Sequence, residues 1–243
     1  MLEQHDVKQV STPHIDYKLT NHEVYIKLIE ELTFNYDVCY LINPSMIIGH
    51  LLTCDQIGNL LKTYPSTLFI IDEAYIEFSN QESCAPFIEC YYNLIVVKTF
   101  SKFFSLASLR IGYLLTNPTL LNLIKPYYNY RDISPLSVKC ALSTLMNVDF
   151  YKKNKETYFE LKQYIREQLT IIKNTHIIDD FILNDGVYFI IICKDPLHLQ
   201  NYFNQHSVCV RSKNSDLKGS VRITISTYES MKKVFELLSL YSC

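Results

Sequence analysis

Short, wholly apolar runs alternate along this chain with longer stretches whose apolar residues recur at helical spacing. "VCYLI" (Val38–Ile42), "LFII" (Leu68–Ile71) and "LIVV" (Leu94–Val97) carry no polar alternation. A parallel sheet covered on both faces requires such runs, so they predict buried strands. Helical segments with start signals separate them. Thr20 with Glu23 forms a capping-box pattern before "VYIKLIEEL", and Thr53 with Gln56 repeats it before "IGNLLKTY". Asn117–Pro118 and Ser134–Pro135 each place a cap ahead of a first-turn proline.

From about Val148 the pattern changes. "VDFYKKNKETYFELKQYIREQLTII" predicts one long amphipathic helix. "GVYFIIIC", a short helix near Leu197–Phe203, "SVCVR", "SVRITIS" and a final helix over Tyr228–Leu240 follow. The order predicts an α/β protein: residues 1–147 form a mostly parallel sheet with helices on both faces, and residues 148–243 a smaller α+β domain.

Composition narrows the chemistry. The net charge of -2 leaves no electrostatic footprint for nucleic acid. No apolar run reaches the length of a membrane span, and "MLEQHDVKQV" lacks the regions of a signal peptide, so a cytoplasmic protein with no membrane partner is expected. The eight cysteines form no CxxC pair and read as reduced thiols; neither they nor the seven histidines make a metal motif. Five glycines are too few for a glycine-rich phosphate loop, so any phosphate must be gripped by side chains and helix ends.

Candidate chemistry lies where strands end. In open parallel sheets ligands bind beyond the carboxyl ends of the strands. "LFIIDEAY" runs a strand into Asp72, with Tyr75 three residues on; "LIVVKTFSK" runs another into Thr99, Ser101 and Lys102. Lys102 and Arg110 stand in the apolar segment "VVKTFSKFFSLASLRIGY", where charges expected to be buried call for an anionic partner, whereas Lys98 is expected to reach solvent. Asp72 alone also reads as a helix cap. Tyr127 and Tyr128 read as packing residues rather than a cofactor platform.

"IIDEAYIEF" together with "KTFSKFFSLASLRIGY" resembles the class I/II, fold-type-I pyridoxal-phosphate aminotransferases, and most of all their histidinol-phosphate branch. "SVRITIST" resembles that branch's final motif, and the resemblance runs from about Asp6 to the C-terminus. It implies pyridoxal 5'-phosphate as cofactor. Lys102 would carry the cofactor and move the substrate's proton, Asp72 would face the pyridine nitrogen, and Tyr75 the ring oxygen. Thr99, Ser101 and Arg110 would hold the phosphate, and Arg222 the substrate carboxylate. The implied partners are a small amino substrate, a 2-oxo acid and a second copy of the chain in a homodimer. An L-threonine-phosphate decarboxylase and a non-catalytic subunit are the alternatives.

Several positions depart from the family pattern. Met46 replaces the asparagine of the turn "NPSMIIG" (43–49), Ser108 and Ser226 replace glycines, and Tyr188–Phe189 replaces an Asn–Phe pair. A thioether cannot donate the hydrogen bond of an amide. The pattern's N-terminal third has no counterpart, which leads one to expect an exposed apolar face.

Overall fold

The computed structural model describes residues 26, 29, 36–45, 49–127, 133–212, 217 and 219–241. Four strands form the first sheet: β1 (Val38–Ile42), β2 (Leu68–Asp72), β3 (Leu94–Thr99) and β4 (Gly112–Thr116), in that spatial order. β1, β2 and β3 run parallel; β4, which carried no clear signal in the sequence, returns antiparallel along β3. β2 and β3 are neighbours, so Asp72 and Thr99 stand at the same end of one sheet.

Helix α1 (Cys54–Thr63) follows β1. The Gln56 amide donates to the Thr53 hydroxyl at 3.2 Å and the Thr53 amide to the Gln56 side chain at 2.8 Å, completing the capping box. Ile57, Leu60 and Leu61 of α1 pack on Phe69, Ile71, Leu94 and Val96, which share one face of the sheet through their period-2 spacing. β1 departs from its expected burial: Val38 is 52 % and Tyr40 55 % exposed among the described residues. Asn117 and Ser134 cap α2 (Pro118–Ile124) and α3 (Pro135–Met146) as their sequences predict. Tyr127 is 80 % exposed rather than packed, and Tyr128 lies outside the described residues. So do Met46 and most of the expected helix after Thr20, of which Ile26 and Ile29 are helical.

The long helix α4 (Val148–Asn174) leads to a second, antiparallel sheet of β5 (Asp180–Ile182), β6 (Tyr188–Ile192), β8 (Ser220–Thr224) and β7 (Arg211–Ser212). "SVCVR" supplies only the short β7, since the Val208 amide is used on the Phe203 carbonyl at the end of α5 (Pro196–Gln205). α4, α5 and α6 (Tyr228–Leu240) bury Phe189, Ile191, Val221 and Ile223. Alternation therefore sends Tyr188 and Arg222 to the other face, and a one-residue slip of either strand would bury them in the core. No helix among the described residues is long and apolar enough to cross a membrane. The seven described cysteines are free.

The two sheets meet at Gly49. Its carbonyl accepts the Asp185 amide at 3.0 Å, its φ is +70°, and a Cβ built there would lie 2.4 Å from the Asp185 carbonyl oxygen. Gly49→Ala should lower stability in urea unfolding by about 1–3 kcal/mol. Gly58→Ala, inside α1 with its nearest neighbour a Phe87 ring carbon at 3.4 Å, should raise it by up to about 1 kcal/mol. Equal effects at the two positions would contradict this packing.

Candidate active site

β2 and β3 end side by side and deliver their polar residues to one edge. Asp72 is half-buried there. Its Oδ1 accepts the Ala74 amide at 3.0 Å, a local capping bond, and its Oδ2 accepts the Tyr40 hydroxyl from β1. Burial and the Asp72 carboxylate both push the Tyr40 phenol upward, so it is a donor at neutral pH. Beyond β3, the Thr99 hydroxyl accepts the Ser101 amide at 3.0 Å, turning the chain so that Ser101 and Lys102 face a cleft.

The cleft has a volume of about 550 Å³. It brings together Tyr75, Ser101 and Lys102 from the first sheet, Asn154 and Tyr158 from α4, and Tyr188 and Arg222 from the second sheet. The Lys102 ammonium stands 5.4 Å from the Tyr75 ring centre, and the Arg222 guanidinium 4.7 Å from that of Tyr188. Asp72, Thr99 and Arg110 do not line this cleft; Asp72 and Thr99 are the last residues of β2 and β3. Arg110 sits in a left-handed turn before β4 with φ 49°, and its guanidinium donates to the Ala107 carbonyl at 3.4 Å.

Burial of the charges is the reverse of the sequence expectation. Lys102 and Arg110 are exposed, in a loop whose apolar residues Phe103, Phe104, Leu106 and Leu109 are themselves only partly buried. Lys98 is the enclosed cation. Its amine lies 3.3 Å from Glu73 and 3.0 Å from Glu77, with side-chain exposures of 12 % for Lys98, 1 % for Glu73 and 18 % for Glu77. Burial alone would lower the Lys98 pKa, but Glu77 and Glu73 together outweigh it and raise it. Glu73 also accepts the Ser83 hydroxyl at 2.5 Å and the Cys84 amide at 2.8 Å.

Among the described residues, Lys98, Lys162 and Lys173 are paired with carboxylates, whereas Lys102, Arg110 and Arg222 are not. Other described cations, Arg166 and Arg211 among them, also lack a carboxylate partner among these residues, but of Lys102, Arg110 and Arg222 only Lys102 and Arg222 line the cleft. Tyr158 and Asn154 carry no mark as cleft residues in the sequence, where Tyr188 stands out only as a departure from the family's Asn–Phe pair. Tyr151, Asn154 and Tyr158 do follow a helical i, i+3, i+7 spacing, which is a signal that could have found the first two. Tyr158 donates to the Gly186 carbonyl, and burial raises its phenol strongly.

Residues 6–238 match the family model for aminotransferase class I and II. The chain belongs to this family. A histidinol-phosphate aminotransferase of Buchnera aphidicola is 31 % identical over 232 residues, covering 93 % of this chain and 64 % of that protein. The crystal structure of histidinol-phosphate aminotransferase from Sinorhizobium meliloti in complex with pyridoxal-5'-phosphate is similar at TM-score 0.72 and 21 % identity, over 89 % of this chain and 62 % of that one. An L-threonine-O-3-phosphate decarboxylase from Porphyromonas gingivalis is similar at TM-score 0.75 and 21 % identity, over 85 % and 64 %. These two structures speak for the fold. The chain thus spans a little under two thirds of the length of these proteins.

The Lys98 cluster yields a direct test. Lys98→Met leaves a buried Glu73 and a neighbouring Glu77 without their cation, and should cost about 3 kcal/mol in urea unfolding. A loss below about 1 kcal/mol, the range of an exposed pair, would show that the cluster is not enclosed as described.

Proposed function

We propose that the protein is a pyridoxal-phosphate-dependent aminotransferase of the histidinol-phosphate type, passing an amino group between a small amino substrate and a 2-oxo acid. The observation that carries this reading is the pair of cations without carboxylates, Lys102 and Arg222, that line one cleft together with Tyr75 and Ser101. Such a set calls for a ligand with more than one anionic group. Family membership and the Sinorhizobium meliloti complex support pyridoxal phosphate as one of the ligands.

The residues present fit that group. When bound, pyridoxal phosphate supplies an aldehyde that takes up amines and a ring that accepts electrons from a bond broken at the substrate Cα. Lys102, bordering the cleft, is the amine that would hold it, and then the base and acid that moves the proton at Cα. Asp72, fixed by the Ala74 amide and Tyr40, would present its carboxylate to the ring nitrogen. Tyr75 would donate to the ring oxygen, and Thr99, Ser101 and Arg110 would take the phosphate. Arg222 offers a planar fork to the substrate carboxylate.

A second anionic group on the substrate is supported by Arg211, which stands directly opposite Arg222 in the β7–β8 ladder. Like charges at paired positions disfavour each other, and a ligand with two anionic groups relieves them. An amino acid or an amino-alcohol phosphate is the substrate class: an amino acid with a second anionic group would answer both arginines with two groups, and an amino-alcohol phosphate with one dianionic phosphate. We take residues 1–147 and 148–243 as two domains, the protein as cytoplasmic, and a second copy as its partner. The apolar residues Leu136, Leu142, Leu145 and Met146 exposed along α3 support self-association.

Arg110 and Arg222 separate experimentally. Arg110→Ala should weaken pyridoxal phosphate binding by about 2–4 kcal/mol in an absorbance titration, whereas Arg222→Ala should spare it and abolish the spectral change caused by added amino acid. Normal cofactor binding by Arg110→Ala with loss of it in Arg222→Ala would overturn the assignment.

A further inference from the structure

Tyr188 closes the second-sheet side of the cleft, beside Arg222. It pairs with Thr224 across the β6–β8 ladder while Arg222 pairs with Ile190, so the two side chains are diagonal neighbours on one face. The guanidinium of Arg222 lies 4.7 Å from the centre of the Tyr188 ring, within cation–π range. The Tyr188 hydroxyl oxygen is fully buried; the neighbouring Arg222 guanidinium can only donate toward it, so the phenol's own O–H finds no acceptor among the described residues. A buried hydroxyl in a folded protein ordinarily has one. Burial raises the Tyr188 phenol to about 12, with the positive charge of Arg222 opposing and Tyr75 adding to the rise, so the group is a neutral donor at physiological pH. The orphaned donor therefore sits against a cation that itself lacks a carboxylate, at the wall of a cleft large enough for a small ligand.

We infer that Tyr188 is a specificity-determining residue: its ring is the platform that holds Arg222, and its hydroxyl donates to one oxygen of the carboxylate that Arg222 takes. The inference rests on the role given to Arg222 under the proposed function. The family pattern places an asparagine here, and the tyrosine is both longer and bulkier. It carries the donor further from β6 and fills space beside the guanidinium, so the bound carboxylate is selected by a donor and a cation together. An arginine fork alone holds an anion by charge and two N–H donors; the neutral phenol adds one further directional donor beside it.

The probe is succinate, a plain dicarboxylate, titrated calorimetrically into the 243-residue protein with and without saturating pyridoxal phosphate. Tyr188→Phe keeps the ring and removes only the donor; it should leave the melting temperature and the cofactor affinity unchanged and weaken succinate about tenfold. Tyr188→Leu, which also removes the platform, should weaken it further, toward the level of Arg222→Ala. Tyr188→Phe binding succinate as tightly as the parent, or a parent that binds no succinate, would overturn the inference. So would a greater loss for inorganic phosphate than for succinate, because the site would then read phosphate. A parent that binds succinate with this dependence on Tyr188, yet binds no pyridoxal phosphate, would support the role of Tyr188 and strike the proposed function instead.

Discussion

The enclosed contact of Lys98 with Glu73 and Glu77 fixes the geometry on which the rest of the site depends. Glu73 follows the last residue of β2, and Lys98 is the penultimate residue of β3. Their 3.3 Å approach, together with Glu77 at 3.0 Å, ties the segment bearing Asp72 and Tyr75 to the segment bearing Thr99, Ser101 and Lys102. The bonds from the Ser83 hydroxyl and the Cys84 amide supply the remaining acceptor needs of Glu73, so the buried carboxylate is satisfied on every side. Two backbone turns that could otherwise move independently are held in one register.

That constraint divides the cations of the site into two kinds. Lys98 has its charge neutralised inside the protein and acts on structure. Lys102, Arg110 and Arg222 are left without carboxylates and are positioned by the elements around them: Lys102 by the Thr99–Ser101 turn, Arg110 by a left-handed residue before β4, and Arg222 by strand alternation against the core of the second sheet. Tyr40 does for Asp72 what Glu77 does for Lys98, occupying one side of the group so that its other contacts are fixed. The second sheet closes on this edge through Gly49, where only a residue without a Cβ lets the two backbones approach.

Much of this was legible in the sequence because it is local. Capping boxes, first-turn prolines and apolar runs specify α1, α2, α3, β2 and β3 from residues within a few positions of one another. The meeting of Tyr75, Ser101 and Lys102 at one cleft, with Asp72 at the adjacent strand end, was legible because strand ends in a parallel sheet converge. What was not legible depends on register between distant residues. Lys98 meets Glu73 across 25 positions and Tyr40 meets Asp72 across 32, and no short pattern records either. The exposure of Val38 and Tyr40 among the described residues is not legible for a related reason, since an apolar run reports what a strand can bury and not what packs on it.

The claim most exposed to test is that Lys102, rather than the neighbouring Lys98, is the reactive amine. The enclosure of Lys98 between two carboxylates leaves it no access to the cleft, while Lys102 borders it. Incubation of the protein with pyridoxal phosphate, borohydride reduction and peptide mapping decide between them. The account expects a single pyridoxyl label on Lys102, lost in Lys102→Ala. A label on Lys98, or the same labelling in Lys102→Ala, would contradict it.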